Sequence, residues 1–303
     1  MSESPVTAPV CYRHPSKETY VRCTRCDRPI CPDCMNAASV GHQCPECVAQ
    51  GRRTQRSART AFGGSLAGRA GIATKTLIGI NVIIMIISVA TGGMTAVAGG
   101  GWGGLLGQGT PLTDWGSVIG LATYGPGDTA LHGVAAGEWY RLVTAMFLHY
   151  GVLHLLLNMY ALWILGRELE AVLGRLRFVA LYLLAGLGGN VAAYLLGAPN
   201  QATAGASTAV FGLMAATFVI LRRLNMSVAP ILPVIVINVI FTFTVANISW
   251  EGHVGGLLIG GVVAAILAYA PRRNRNLIQG VGCVLVLVAL LTLAWIRTAS
   301  LLG

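Results

Sequence analysis

Ser207 and His253 are the two side chains of this sequence best suited to nucleophilic chemistry. Each lies in an otherwise apolar stretch, the first in the sequence GAST and the second in GHVGG. Nucleophilic and ionisable groups in hydrocarbon are costly and usually mark a function. A serine beside a histidine that can take its proton is the core of serine hydrolase chemistry. The elements that carry the two residues must therefore bring them together.

The composition is that of a membrane protein. Of the 303 residues, 54% are hydrophobic and only 11% are charged, against roughly 25% charged residues in soluble domains. The 11 acidic residues lie before the first apolar run, in connections or at helix ends, which argues against a proton relay or cation pathway. The net charge is +10. Because the basic residues cluster beside the apolar runs, they are interpreted as signals of membrane topology and not as contacts to nucleic acid, so no nucleic-acid partner is predicted.

Seven apolar runs follow a polar N-terminal region and predict an all-α polytopic membrane protein. Residues 1–50 form a small module rich in Cys and His, 51–74 a basic flexible linker and 75–300 the membrane domain. Each run approaches the roughly 20 residues that a spanning helix needs. The seven runs lie at 76–95, 143–165, 177–197, 204–221, 229–247, 253–270 and 277–296.

Arginines cluster at every second connection between the apolar runs, and this pattern predicts the direction in which each helix crosses the membrane. They cluster before run 1 and between runs 2 and 3, 4 and 5, and 6 and 7, whereas the other connections hold only Arg141. By the positive-inside rule the N-terminus is cytoplasmic and the C-terminus outside. The connection at 96–142 is then outside. Its glycines and aromatic residues, such as Trp102 and Trp115, predict an element that rests among the lipid headgroups.

This topology predicts four polar groups at a similar depth. Runs 2, 4 and 6 all enter from the outside, with Ser207 at the start of run 4 and His253 at the start of run 6. His154 and Asn158 of run 2 are four residues apart and share one helix face, on the order of 10–15 Å below its outer end. A glycine at every fourth position of run 6 allows close helix contact.

The N-terminal module carries four pairs of metal-binding residues. A gap of two residues lets both side chains of a pair reach one ion, and eight ligands complete two structural zinc sites with no open catalytic position. So small a module buries little core, so metal would supply its folding energy. A disulfide framework is disfavoured because the topology puts the module in a reducing compartment. The pairs are Cys11 and His14, Cys23 and Cys26, Cys31 and Cys34, and Cys44 and Cys47.

The alternating pairs resemble the cross-braced B-box type of zinc finger. That resemblance implies that the first and third pairs share one ion, and that the second and fourth pairs share the other. His42 departs from the pattern and could replace Cys44 or Cys47 as a ligand. The module is expected to bind a cytosolic protein partner or to sense metal.

Over residues 70–300 the chain resembles the rhomboid intramembrane serine proteases. The resemblance rests on four motifs in order: EWYR before run 2, HxxxxHxxxN from His149, GAS with FG from Gly205, and GHxGG from Gly252. It implies a core of six helices, with one transmembrane helix added at the C-terminus. It also implies that Arg141 braces the outer connection.

The resemblance implies a role for each residue of the predicted site. Ser207 would be the nucleophile and His253 its general base, a dyad without an acid. His154 and Asn158 would stabilise the oxyanion together with the backbone N–H of Ser207. Phe211 would stack on the ring of His253. The expected reaction is hydrolysis of a peptide bond in or near a transmembrane segment, with no cofactor for catalysis.

Other functions fit part of the pattern. An inactive rhomboid-like protein would bind membrane clients, but such a chain would be expected to lose the serine or the histidine. A haem-binding electron-transfer protein would use His154 and His253 as axial ligands. A transporter is disfavoured because acids are missing at mid-membrane and no inverted repeat is evident. The expected partners are a transmembrane protein substrate and the bilayer of a bacterial plasma membrane.

Overall fold

The computed structural model describes residues 8–54, 59–64, 71–97, 108–124, 130–245 and 248–303. The chain divides into two compact units, Met1–Ser57 and Ala58–Gly303. The division lies inside the predicted linker, much of which is outside the described residues. The glycine-rich first part of the predicted outer connection, with Trp102, is also outside them.

The N-terminal unit is built around cysteines. It contains a 3-10 turn at Pro32–Cys34, a short antiparallel pair of strands, β1 (Asn36–Ala37) and β2 (His42–Gln43), and helix α1 (Pro45–Thr54). Its buried core consists of six cysteines and Ile30. So few apolar side chains do not stabilise a fold of this size in water, which is why such modules depend on metal.

The second unit is helical, as predicted. Its one described hairpin pairs β3 (Ala122–Tyr124) with β4 (Ala130–His132) in the outer connection. The described helices are α2 (Ile72–Gly92), α3 (Pro111–Gly116), α4 (Arg141–Thr144), α5 (Val152–Leu173), α6 (Arg175–Leu196), α7 (Ser207–Arg223), α8 (Leu232–Thr244), α9 (Trp250–Tyr269) and α10 (Arg275–Leu302).

Five of the described helices are long and apolar enough to cross a bilayer, namely α2, α5, α6, α9 and α10 with the turn before it. The most apolar window of α6 is 67% buried inside the protein, and that of α10 only 17%. Helix α6 is therefore central, and α10 lies at the periphery, where an added seventh helix is expected.

Runs 4 and 5 of the sequence form shorter helices than predicted. Helix α7 has 17 residues and α8 has 13, which correspond to roughly 26 and 20 Å against a hydrocarbon thickness of about 30 Å. Every residue of α7 from Thr208 to Ala216 is buried. The N-terminal part of α7 is thus enclosed by its neighbours, so the helix can begin inside the protein and need not reach both membrane surfaces.

Glycines let α9 contact α7 backbone to backbone. A Cβ on Gly256 would lie 2.0 Å from the carbonyl oxygen of Thr208, and one on Gly260 would lie 2.3 Å from Cα of Gly212. No side chain fits at either position, so the two helices pack as closely as small-residue strips allow. This contact fixes the beginning of α7 against the beginning of α9.

Arg141 holds the outer connection against the helices. Only 3% of its surface is exposed. Its Nη1 donates to the carbonyl oxygens of Asp114 (2.8 Å) and Ser117 (2.9 Å), and its Nε donates to a carboxylate oxygen of Glu138 (2.5 Å). The guanidinium thus binds the end of α3 to α4, which is the bracing role that the family resemblance implies.

Candidate active site

The first turns of α7 and α9 bring Ser207 and His253 into contact. Ser207 is the first residue of α7, and His253 is the fourth residue of α9. The Oγ of Ser207 lies 2.8 Å from Nε2 of His253, the distance of a good hydrogen bond. Two residues 46 positions apart in the sequence therefore form the geometry of a nucleophile and its base.

Neighbouring side chains fix the ring of His253 in place. The ring of Phe211, one turn into α7, stacks on it with centroids 4.2 Å apart and planes inclined by 18°. The other ring nitrogen, Nδ1, lies 2.8 Å from Oγ1 of Thr242 on α8. Thr242 is not predictable from the sequence, because one threonine in an apolar run carries no spacing signal.

His154 and Asn158 lie on one face of α5 and both line the cavity at Ser207. Asn158 donates one N–H to the carbonyl oxygen of His154 at 2.9 Å. An amide has two N–H donors, so the second is left for a bound group. The buried ring of His149 packs edge-on against the ring of His154, with centroids 5.0 Å apart. This contact restricts the movement of the His154 ring.

Gly205 lets the ring of His154 approach Ser207. A Cβ on Gly205 would lie 3.0 Å from Nε2 of His154 and 3.2 Å from Oγ of Ser207. The backbone of Gly205 has φ +149°, a conformation that side chains disfavour. A residue without a side chain is needed here because the imidazole and the hydroxyl face the same small space.

The four predicted site residues line one cavity of about 190 Å³. Asn238, Phe241 and Thr242 of α8 contribute to another wall. Most of α8 is exposed and apolar, so this wall separates the cavity from the lipid. A cavity that has polar donors around a serine and is otherwise lined mostly by apolar side chains can bind a peptide bond.

The N-terminal unit contains two clusters that could hold metal ions. In each cluster the four ligand atoms lie within 4.8 Å of one another. His42 belongs to neither cluster. All eight cysteines lie in the described part of the chain and are free thiols, so the structure gives no support to a disulfide framework. One cluster comprises Cys11, His14, Cys31 and Cys34, and the other Cys23, Cys26, Cys44 and Cys47.

The donor atoms of these clusters suit zinc. Four thiolates, or three thiolates and an imidazole, are common ligand sets for structural Zn²⁺. The backbone N–H of Cys44 donates to Sγ of Cys23 at 3.2 Å. Burial opposes ionisation of the Cys23 thiol, but hydrogen bonds from backbone N–H groups outweigh it and lower its pKa to about 6. These hydrogen bonds favour the thiolate form of Cys23, whereas burial raises the pKa of Cys34 to about 11, so a bound ion would have to displace that proton.

Comparison with known proteins supports the family resemblance. A family model for the rhomboid domain matches residues 136–270, a segment that includes all four predicted site residues. The chain is 39% identical over 157 residues to the rhomboid protease GluP of Bacillus subtilis, a match that covers 50% of this chain and 30% of GluP.

Two further relatives match a similar part of the chain. YdcA of Bacillus subtilis is 33% identical over 148 residues, which cover 47% of this chain and 74% of YdcA. The mitochondrial RHOMBOID-like protein 6 of Arabidopsis thaliana is 31% identical over 167 residues, which cover 49% of this chain and 53% of that protein. The chain thus covers much less than the full length of two of these three relatives. On the motifs, the fold and these matches, the chain belongs to the rhomboid family.

Proposed function

We propose that this protein is an intramembrane serine endopeptidase that cleaves transmembrane segments of membrane proteins with Ser207 as the nucleophile. The observation that carries the proposal is the 2.8 Å contact between Oγ of Ser207 and Nε2 of His253. The contact lies in a cavity that His154 and Asn158 also line. A serine that only stabilised its own helix would bond to a backbone carbonyl and not to an imidazole.

In the proposed reaction, Oγ of Ser207 attacks the carbonyl carbon of the scissile bond while Nε2 of His253 takes the hydroxyl proton. The imidazolium then gives that proton to the leaving amine, and an acyl-enzyme remains on Ser207. A water molecule, deprotonated by His253, hydrolyses the acyl-enzyme and restores the free serine.

The oxyanion of each tetrahedral intermediate would lie between donors from α5 and α7. His154 would donate from Nε2, since this atom faces the space beside Ser207, and Asn158 would donate its second N–H. The first N–H groups of α7 have no partner within the helix, and the helix N-terminus favours negative charge. Donors placed before the reaction lower the barrier because the charge develops where they already point.

The haem alternative fits this geometry poorly. An axial ligand needs a free ring nitrogen, but Nε2 of His253 lies 2.8 Å from Ser207 and Nδ1 lies 2.8 Å from Thr242. Both nitrogens have hydrogen-bond partners, so ligation would require the site to open.

For the N-terminal unit we propose two structural zinc ions, each held by one of the two clusters. The ions would supply the stability that a core of six cysteines and Ile30 lacks. We also propose that this unit is cytoplasmic and that it binds a cytosolic protein partner or senses metal. The whole protein would belong to a bacterial plasma membrane. The arginines at the α5–α6, α7–α8 and α9–α10 connections support this orientation.

Cleavage of a transmembrane substrate tests the proposed function. The full chain is reconstituted in liposomes with a single-span fusion protein that carries tags at both ends, and the products are separated on gels. The wild type is expected to produce two fragments, and the Ser207→Ala variant none. Equal cleavage by the two proteins would show that Ser207 is not the nucleophile.

A further inference from the structure

Thr242 occupies an unusual place in α8. It is the single buried residue of Leu232–Thr244, every position of which the structure describes. The remainder of α8 is exposed or half-buried and mostly apolar, as expected of a helix that faces lipid. A buried hydroxyl needs hydrogen-bond partners, and this one has two. Its Oγ1 lies 2.8 Å from the carbonyl oxygen of Asn238 and 2.8 Å from Nδ1 of His253.

The single proton of the Thr242 hydroxyl determines which tautomer of His253 allows both hydrogen bonds. A hydroxyl has one proton to donate, and a carbonyl oxygen can only accept. Both contacts can therefore be hydrogen bonds at once only if the Thr242 hydroxyl donates to the carbonyl oxygen of Asn238 and accepts a hydrogen bond from the N–H at Nδ1 of His253. In that arrangement the neutral imidazole carries its proton on Nδ1, and Nε2 has a free lone pair.

That tautomer is the one a general base needs. The hydroxyl of Ser207 can donate to Nε2 across 2.8 Å only if Nε2 carries no proton. With the proton on Nε2 instead, the imidazole could not take a proton from Ser207. A histidine base generally depends on a group that fixes its second nitrogen, and here that group is a hydroxyl and not a carboxylate.

We propose that Thr242 is a positioning residue that selects the Nδ1–H tautomer of His253 and so prepares Nε2 as the base. This inference rests on the proposed protease function. During the reaction the proton of Ser207 moves to Nε2, the Nδ1 proton stays on the ring, and the Thr242 hydroxyl keeps its own proton, which remains hydrogen-bonded to the carbonyl oxygen of Asn238. No proton passes through Thr242, so its effect is on orientation, tautomer and the stability of the imidazolium.

The experiment compares four full-length proteins. Thr242→Val removes the hydroxyl at nearly constant shape, and Thr242→Ser keeps the hydroxyl. Thr244→Val is the matched control on the same helix, because among the residues that the structure describes the exposed hydroxyl of Thr244 bonds only to carbonyls of its own helix, Ile240 at 3.0 Å and Phe241 at 3.4 Å. The wild type is the reference.

Two readouts are taken on each protein. The first is the rate constant for phosphonylation by a fluorophosphonate probe. The second is the ¹⁵N spectrum of histidine-labelled protein, in which protonated and unprotonated ring nitrogens resonate apart. The His253 signals are assigned by their loss in a His253→Ala variant.

The expected result is a slower reaction and a changed tautomer in Thr242→Val alone. Its labelling rate should fall roughly tenfold to a hundredfold, a part of the ~10²–10⁴ that a positioned base supplies. Its spectrum should show His253 protonated on Nε2 in a substantial fraction of molecules. Thr242→Ser and Thr244→Val should resemble the wild type in both readouts.

The inference is overturned if Thr242→Val keeps both the wild-type rate and the Nδ1–H signal, or if Thr242→Ser loses as much rate as Thr242→Val. In either case the protease function would stand, because the wild type still reacts. A wild type that does not react would instead contradict the proposed function, and the ¹⁵N spectra would still decide the role of Thr242. If Thr242→Val does not fold, Thr242→Ala replaces it.

Discussion

The two units of this chain place their polar groups by opposite means. In the N-terminal unit, most of the groups that would bind metal form the buried core, since six of the eight proposed ligands make up that core together with Ile30. In the membrane unit the polar site residues are a minority among packed apolar helices. There the helix packing decides where Ser207 and His253 lie.

The difference concerns what must be present before the site exists. Ligand pairs two residues apart can form a metal site wherever the chain is free to close around an ion, and the ion then organises the fold. A serine and a histidine that are 46 positions apart meet only after α7 and α9 have packed together. The metal clusters depend on bonds between ligand side chains and an ion, whereas the Ser207–His253 site depends on how the helices pack.

The largest effect on stability is expected when one proposed metal ligand is removed. Cys44→Ser should unfold the N-terminal unit, because the apparent binding free energy of structural zinc is about 10–16 kcal/mol and no apolar core replaces it. Metal analysis and limited proteolysis of the purified chain measure this. Cys283→Ser is the control, since the half-buried Cys283 lies in α10, outside both clusters. Unchanged metal content in Cys44→Ser would contradict the predicted ligand set.

The next largest effect is expected from a substitution that disturbs only the packing of α9 against α7. Gly256→Ala should lower stability by ~1–3 kcal/mol or more through overpacking, because its Cβ would lie 2.0 Å from a backbone oxygen of α7. The reactivity of Ser207 should fall with it. Thermal unfolding in detergent and probe labelling measure the two effects.

Gly261→Ala provides the matched control on the same helix. A Cβ there would lie 3.7 Å from that of Ala215, an ordinary contact, so stability and reactivity should be preserved. Equal behaviour of Gly256→Ala and Gly261→Ala would show that the close contact of α7 and α9 does not hold the site.

A smaller effect on stability, with a large one on activity, is expected from Gly205→Ala. The strained φ costs about 1–3 kcal/mol, and the Cβ would push the ring of His154 away from Ser207. A displacement of about 1 Å can reduce the rate on the order of 10²-fold. The initial rate of substrate cleavage at matched folded protein is the measurement.

Gly137→Ala separates strain from the site. Gly137 has φ +100° and open space around its Cβ position, so the variant should lose similar stability and keep its activity. If Gly205→Ala and Gly137→Ala were equally active, the proximity of His154 to Ser207 would have no catalytic meaning.

The smallest effect is expected from deletion of residues 1–50. The membrane unit is a compact unit by itself, and every residue that lines the cavity at Ser207 belongs to it. Cleavage of a model substrate should stay within about twofold of the wild type, below ~0.6 kcal/mol in the barrier. A folded deletion variant without activity would show that the two units act together.

Local patterns made much of this molecule predictable. The candidate metal-binding pairs are recognisable in the sequence because two residues separate the members of each pair. Ser207 and His253 stand out because polar groups are rare in apolar runs. The grouping of ligands into two clusters, expected from the B-box resemblance, agrees with the distances in the structure.

Contacts between distant elements were not predictable in the same way. Glu170 accepts hydrogen bonds from the backbone N–H of Ala73 at 3.0 Å and from that of Thr74 at 2.9 Å, so it caps α2 from a position nearly a hundred residues away. Thr242 reaches His253 only because α8 ends beside α9. Such partners depend on helix packing, which hydropathy and spacing do not specify.

The most direct measurement is mass spectrometry of the full chain after reaction with a fluorophosphonate probe in detergent. One phosphonyl adduct is expected, on Ser207, and it should be lost in His253→Ala although that variant keeps the serine. Such a result requires a serine activated by its histidine. No adduct on folded, metal-loaded wild type, or an adduct that persists in His253→Ala at the same rate, would contradict the proposed dyad.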